Sequence, residues 1–165
     1  IVFSGGANKN EVPTSKKGLD ASASSKLNSV FTARAYLQIV NAEISQGANT
    51  GKKTPGVAQR SGGFGLEAKV TNNHIFDTSA RGASGKFASE DTSNIAAKNP
   101  GYLVGDLSYI FKEGAWTWVS RVNNVLDKQY SDYSIYKSSN YDAPFNMTLY
   151  PNPGRNFSLT GRYVF

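Results

Sequence analysis

The sequence predicts an all-β protein, an antiparallel up-and-down β-barrel that crosses a membrane with its strands. Three observations carry that expectation. Apolar and polar residues alternate strictly in segment after segment. The connections between these segments alternate between short turns and long loops. Aromatic residues gather near the short-turn ends, where a membrane interface would lie.

The last segment shows the alternation best. Over 156–165, Phe157, Leu159, Gly161, Tyr163 and Phe165 share one face, and Asn156, Ser158, Thr160, Arg162 and Val164 share the other. A strand so divided meets oil on one side and water on the other. At 31–39, Phe31, Ala33, Ala35, Leu37 and Ile39 oppose Thr32, Arg34, Tyr36 and Gln38. At 63–70, Phe64, Leu66, Ala68 and Val70 oppose Gly65, Glu67 and Lys69. Segment 102–111 sets Leu103, Gly105, Leu107, Tyr109 and Phe111 against a mostly polar face on which Val104 and Ile110 are imperfections. Segment 18–27 is fainter. Two more strands are expected at about 74–88 and at about 115–128, the latter with Trp116 and Trp118, and residues 1–4 read as the tail of another.

Asn28-Ser29, Thr71-Asn72-Asn73 and Lys112-Glu113-Gly114 are short connections, whereas 5–15, 45–59, 89–101 and 131–154 are long. With an upward strand at 1–4 the parity holds throughout and the final strand runs down. Tyr163, Phe165, Trp116, Tyr109 and Phe111 then all fall at the short-turn end.

Composition is consistent with this reading and removes several others. The chain has 165 residues with 16 Gly, 9 Tyr and 9 Phe, which favours many short strands over helices with broad apolar faces. No stretch reaches the roughly 18 apolar residues of a transmembrane helix, but a transmembrane strand needs only about 9–11. Cysteine is absent, so neither a thiol nucleophile nor a Cys-ligated metal is available. His74 is the only histidine and follows a short turn, a position for a structural imidazole. With no phosphate loop and no catalytic constellation in the sequence, neither an enzyme nor a resident cofactor or metal is expected. The net charge of +6 is spread along the chain, and the aromatics oppose the Lys and Arg residues, which argues against nucleic acid.

Several strings resemble one family. Pro153-Gly154-Arg155-Asn156-Phe157 and the final strand to Phe165 resemble the "P-G-R-x-F" loop exit and last strand of TonB-dependent receptors. Val122-Asn123-Asn124-Val125-Leu126-Asp127-Lys128-Gln129-Tyr130 is similar to their "V-x-N-L-F-D-K-x-Y" string, with Val125-Leu126 for Leu-Phe. Pro100-Gly101-Tyr102 with Asp106-Leu107 resembles "P-G-Y-x-x-x-D-L". Lys17-Gly18-Leu19-Asp20 resembles "K-G-x-E", and 51–57 resembles "G-x-x-x-P-G-V-P", with Ala58 at the last position. In the family's order these partial matches run from Lys17 to Phe165.

The resemblance implies that 1–165 is the C-terminal segment, the last seven to eight strands, of a barrel of about 22 strands with a plugged lumen. The plug domain lies outside this chain. It implies a bacterial outer-membrane receptor that imports a scarce nutrient such as a ferric siderophore, haem or cobalamin, driven by the TonB complex through the missing N-terminal part. Outer-membrane lipid is a further partner. The barrel-assembly machinery would read the terminal aromatics Tyr163 and Phe165. Arg34, Tyr36, Gln38, Glu67, Lys69, Asp106 and Arg162 would face the lumen. In the last extracellular loop Tyr133, Tyr136, Tyr141 and Phe145 would contact an iron chelate or similar small ligand, since tyrosine joins apolar area to a hydrogen-bonding tip. Two alternatives remain: a complete eight-stranded outer-membrane barrel acting as an adhesin or structural protein, and a soluble lipocalin-like binding barrel.

Overall fold

The computed structural model describes residues 2–4, 7–9, 13–138 and 145–165, with side chains over 13–137 and 146–165. In chain order the strands are β1 (Val2–Ser4), β2 (Ala7–Lys9), β3 (Thr14–Lys26), β4 (Phe31–Ile44), β5 (Arg60–Lys69), β6 (His74–Ala83), β7 (Tyr102–Glu113), β8 (Trp116–Asn123), β9 (Tyr133–Ser138), β10 (Phe145–Tyr150) and β11 (Asn156–Tyr163). Seven of them form one antiparallel sheet in the order β11-β8-β7-β6-β5-β4-β3, a plain meander. The up-and-down all-β fold expected from the alternation is therefore present.

Each short turn is closed by its own chemistry. Asn28 Oδ1 accepts from the backbone N–H of Val30 and of Phe31, both at 2.8 Å, and so turns β3 into β4. Thr71 Oγ1 accepts from Asn73 and His74 N–H, both at 3.1 Å, between β5 and β6. Between β7 and β8 the turn needs a left-handed residue, and Gly114 supplies it at φ 57°.

The register carries the sequence alternation across the whole sheet. Ala35 pairs with Ala23 and Phe64, Phe64 with Ala80, Ala80 with Gly105, and Leu107 with Val122, which in turn pairs with Phe157. One face is thus continuously apolar. Its large side chains Leu19, Leu37, Phe64, Phe76, Leu103, Leu107, Phe157 and Leu159 are between 46% and 75% exposed. An apolar surface of this extent needs a covering that water does not provide. The opposite face is polar, and the two imperfections in 102–111 have local explanations there. Ile110 lies in register with Ile75 and Val119, making a short apolar row, and Val104 is 1% exposed near the long-loop end.

Four expectations are corrected. The sixth strand stops at Ala83, not near 88, because beyond it the ladder narrows to a single bridge, Lys86 with Asn99. The eighth stops at Asn123, not near 128, because Asn124 turns left-handed at φ 51°. The last long connection is not an open loop: β9 and β10 pair within it as a hairpin from Tyr133↔Tyr150 to Ser138↔Phe145. Residues 2–4 pair with 7–9 and with neither edge of the main sheet. Among the described residues the outer edges of β3 and β11 are unpaired, so these seven strands form one open ladder that does not close on itself.

The core sits at one end. Of the buried apolar residues, Ala42, Ile44, Ala88 and Val104 lie at or near the long-loop end, and only Ile75 lies near the short turns. Buried polar residues Asp91, Asn99, Asn124, Ser131 and Ser134 belong to the connections themselves. The connections 45–59 and 84–101 and the described residues of 124–155 therefore pack as a layer with its own interior.

Candidate functional site

The polar face of the sheet is the surface on which chemistry can act. Register places Arg34, Tyr36, Gln38, Glu67, Lys69, Asp106 and Arg162 all on it, as alternation requires. Sequence reasoning named these residues without knowing their partners, and the partners organise the face. Arg34 on β4 reaches over β5 to form an ion pair with Asp77 on β6. The crossing is possible because Gly65 lies beneath: a Cβ there would fall 2.7 Å from Arg34 Nε. Gly63 gives the same room to Tyr36, whose ring a Cβ would meet at 2.5 Å. Gln38 donates to Asp20 Oδ1 at 2.7 Å.

Nearer the loop layer, Arg81 donates to Asp106 Oδ2 at 2.7 Å and to the Tyr130 hydroxyl at 3.4 Å. The Tyr130 ring packs on Tyr102 with centroids 4.5 Å apart. Asp106 uses its other oxygen, Oδ1, to accept from Asn124 N–H at 2.8 Å. Asn124 also exchanges two bonds with Lys128, its side-chain oxygen accepting from Lys128 N–H and its amide donating to Lys128 C=O, both at 2.9 Å. Asp127 Oδ1 accepts from Arg155 N–H at 2.8 Å, and Gly154 is forced by the same carboxylate, 2.8 Å from where a Cβ would stand. Residues distant in sequence, from the strings 100–107, 122–130 and 153–157, thereby meet in one clasp that fixes the exit of β8 against the entry of β11. Arg81 and Asp77 were missed by sequence reasoning because the faces of 74–88 were not assigned. Extending the β5 pattern by one antiparallel register places Arg81 on the polar side.

The aromatic belt is assembled as expected at the short-turn end. On the apolar face Trp116 packs on Trp118 at 5.3 Å and on Tyr163 at 4.9 Å, and Tyr163 meets Phe165 edge-on at 5.2 Å. Gly161 is the cross-strand partner of Trp118 and leaves its ring space. His74 stacks on Phe111 at 5.0 Å and its Nδ1 is 2.7 Å from the Tyr109 hydroxyl, a structural placement.

Of the loop aromatics expected at a ligand, Tyr133 and Tyr136 are described with their side chains. Tyr133 and Tyr136 stand three residues apart on β9, hence on opposite faces of the hairpin. Tyr133 packs on Tyr150 at 5.2 Å. Tyr141 and the side chain of Phe145 lie outside the described residues. The hairpin is tied to the loop layer by Ser89, whose N–H donates to Ser134 C=O at 2.8 Å and whose C=O accepts from Tyr136 N–H at 2.9 Å. Beyond the apolar band on β4, which ends at Ile39, Glu43 accepts from Lys53 Nζ at 2.7 Å. The Lys53 and Asn41 hydrogen bonds, with the Lys53 charge, hold its carboxyl below the ordinary value. Among the described residues no group of acidic or histidine side chains could hold a metal ion.

No family model matches the chain, and no curated protein matches it in sequence. Solved structures do match in fold. The chain is similar to the ferric yersiniabactin uptake receptor FyuA from Yersinia pestis, with a TM-score of 0.76 at 15% identity over 92% of this chain and 24% of that one. It is similar to the ferric citrate transporter FecA in its unliganded form, at 0.73 and 22% over 91% and 24%. For the siderophore receptor PiuA from Acinetobacter baumannii the values are 0.72 and 14% over 90% and 21%. At these identities the likeness establishes the fold alone: the sheet is built like a portion of the wall of those barrels, and the chain spans less than a quarter of the length of these proteins.

Proposed function

We propose that this chain is the C-terminal segment of a TonB-dependent outer-membrane receptor, with its apolar face in the lipid and its polar face lining the lumen. The loop layer stands outside the cell and the short turns face the periplasm. The observation that carries this reading is the division of seven registered strands into a mainly apolar and a mainly polar face, with an aromatic belt on the apolar face at the short-turn end. A soluble binding barrel of the lipocalin kind would bury that apolar face around its ligand and leave the ion pairs outside.

The protein's role is import rather than chemistry. The cargo is a scarce metal chelate: the proteins of matching fold include a siderophore receptor and a ferric citrate transporter, and also a copper transporter. Coupling to the TonB complex, and the plug that would close the lumen, belong to the part of the polypeptide outside this chain. Tyr163 and Phe165, packed together at the foot of the last strand, are the signal for the barrel-assembly machinery.

The test is genetic and uses the whole gene product. Deletion under iron limitation should abolish growth on at least one ferric siderophore, ferric citrate, haem or cobalamin source. Complementation should restore it only where TonB is present. The protein should fractionate with the outer membrane and migrate anomalously on gels until heated. Restored uptake in a strain lacking TonB would overturn the coupling, and recovery of the folded protein from the soluble fraction would overturn the membrane reading.

A further inference from the structure

The two ends of the apolar face differ in charge. Register puts Lys17 of β3 across from Asn41 of β4, and Arg60 of β5 across from Ile39, all on the apolar side. Lys17 and Arg60 are the only Lys or Arg residues that the seven strands place on that side, and both stand at its long-loop end. The other strand cations project to the polar side. At the short-turn end the apolar side carries Phe31, Phe111, Trp116 and Tyr163, and its carboxylate there is Glu113.

The two cations sit on the boundary of the apolar band. Just below them Leu19 and Ile39 pair with each other and are 60% and 43% exposed. Just above, Lys53 reaches down from the 45–59 connection, its Nζ donating to Asn41 Oδ1 and to Glu43 Oε1, both at 2.7 Å. Glu43 is thereby matched to Lys53, and the charges of Lys17 and Arg60 are left over. Among the described residues the ion pairs are Arg34 with Asp77, Lys53 with Glu43 and Arg81 with Asp106, and neither Lys17 nor Arg60 enters one. Ideal strand spacing sets their Cα atoms about 12 Å apart. Two long, flexible side chains can close that gap onto one headgroup while their stems lie along the apolar surface.

We propose that the apolar face ends, at its loop side, in a docking site for a membrane lipid whose headgroup carries phosphate. Lys17 and Arg60 are the recognising groups, Lys53 lends a third cation at the rim, and Leu19 and Ile39 lie under the start of the acyl chains. A cation at the edge of an exposed apolar surface meets an anion and a hydrocarbon chain together, which a phosphorylated lipid supplies and a free anion does not. The inference rests on the membrane placement proposed above and adds a lipid contact of defined charge on one side of the membrane only.

The test uses the full-length protein purified in dodecyl maltoside. It is titrated with fluorescently labelled lipid A, an acylated disaccharide with two phosphates, and with phosphatidylcholine, whose phosphate is neutralised within its own headgroup. Lipid A should bind more tightly, and its binding should weaken as salt is raised to about 0.5 M. Lys17→Gln combined with Arg60→Gln should weaken it about 30-fold, the effect of two cations at a membrane surface. That variant leaves the Lys53–Glu43 pair in place. Lys26→Gln combined with Lys112→Gln removes equal charge from the polar side at the short-turn end and should leave the affinity unchanged. Equal losses in the two double variants, or equal binding of the two lipids, overturns the inference. Displacement of lipid A by an excess of inorganic phosphate would mark a site for a free anion and overturns it too. Should the first variant fail to fold, the unaltered protein decides: binding of lipid A that ignores salt sinks the proposal. In each of these cases a protein that stays folded in detergent keeps the receptor reading, whereas recovery of folded protein without detergent removes that reading itself.

Discussion

The seven-stranded sheet and the loop layer above it are stabilised in opposite ways. The sheet has almost no interior: its apolar side chains point into open space on one face, its ion pairs are half-exposed on the other, and its outer edges lack partners among the described residues. The loop layer buries Asp91, Asn99, Asn124, Ser131 and Ser134 in a space with few apolar side chains, and satisfies most of them with backbone bonds. A sheet without an interior takes its stability from its surroundings, from lipid on one face and from the rest of a barrel at its edges. A loop layer with a hydrogen-bonded interior holds its shape by itself. On the proposed reading, lipid would fix the wall and the loops would fold as a local unit upon it, so that the two could vary separately.

The comparison breaks most visibly at the apolar face. Leu107, in the middle of β7 and 46% exposed, should meet hydrocarbon, so Leu107→Arg is expected to cost about 2–4 kcal/mol. Thr160→Arg, on the polar face of β11, should cost less than about 1 kcal/mol. The measurement is urea titration of the full-length protein folded into phospholipid vesicles. Equal losses in the two variants would show that the face assignment is inverted or that neither face meets lipid.

A smaller effect should separate the loop layer from the wall. Asp91 is 2% exposed and accepts from Ile95 N–H at 3.0 Å and Ala96 N–H at 3.1 Å, one bond to each oxygen. Asp91→Ala leaves both donors unpaired and should lower the local opening free energy of 91–96 by about 1–3 kcal/mol. Hydrogen exchange should report faster protons there while the urea midpoint of the barrel stays where it was. A shift of the whole barrel would mean that wall and loops form one cooperative unit.

The difference between the regions also governs what could be read from the sequence. Most wall strands were legible because they are amphipathic along their length, so Phe64-Gly65-Leu66-Glu67-Ala68-Lys69 announces its own faces, whereas β3 and β6 alternate less clearly. The β9–β10 hairpin was not: it places tyrosines on both faces, pairs mainly with itself, and takes its position from contacts distant in sequence, Ser89 with Ser134 and Tyr136 and Asn99 with Ser131. Composition therefore grouped Tyr133 and Tyr136 into one ligand contact that the strand geometry divides. The clasp was legible as a string but not as a mechanism. Nothing in Asp127-Lys128 says that its carboxylate will seat on Gly154 and Arg155, because that depends on β8 and β11 being neighbours. The ion pairs of the polar face were least legible, since Arg34 and Asp77, and Arg81 and Asp106, are far apart in sequence and meet only once the sheet folds.

The smallest expected effect concerns the rim where the two regions meet. Glu43, at the top of β4, is held by Lys53 from the loop above it, and its carboxyl titrates below the ordinary value of 4.5. A carboxyl depressed in the folded state contributes stability that is complete above the unfolded value and is lost as pH falls through the folded one. Because both side chains are more than a third exposed, water and salt screen the pair, and the loss should stay within the loop. Protease cleavage within 45–59 should therefore rise modestly as the pH is lowered below about 4.5 at low salt. In Glu43→Gln the cleavage rate should already be raised at neutral pH and should no longer respond to acid. If the variant keeps the acid response, a carboxylate other than Glu43 governs it; if its cleavage rate at neutral pH is unchanged, the pH-independent hydrogen bonds of Asn94 to the Lys53 backbone, at 2.6 and 2.9 Å, are the anchor that matters.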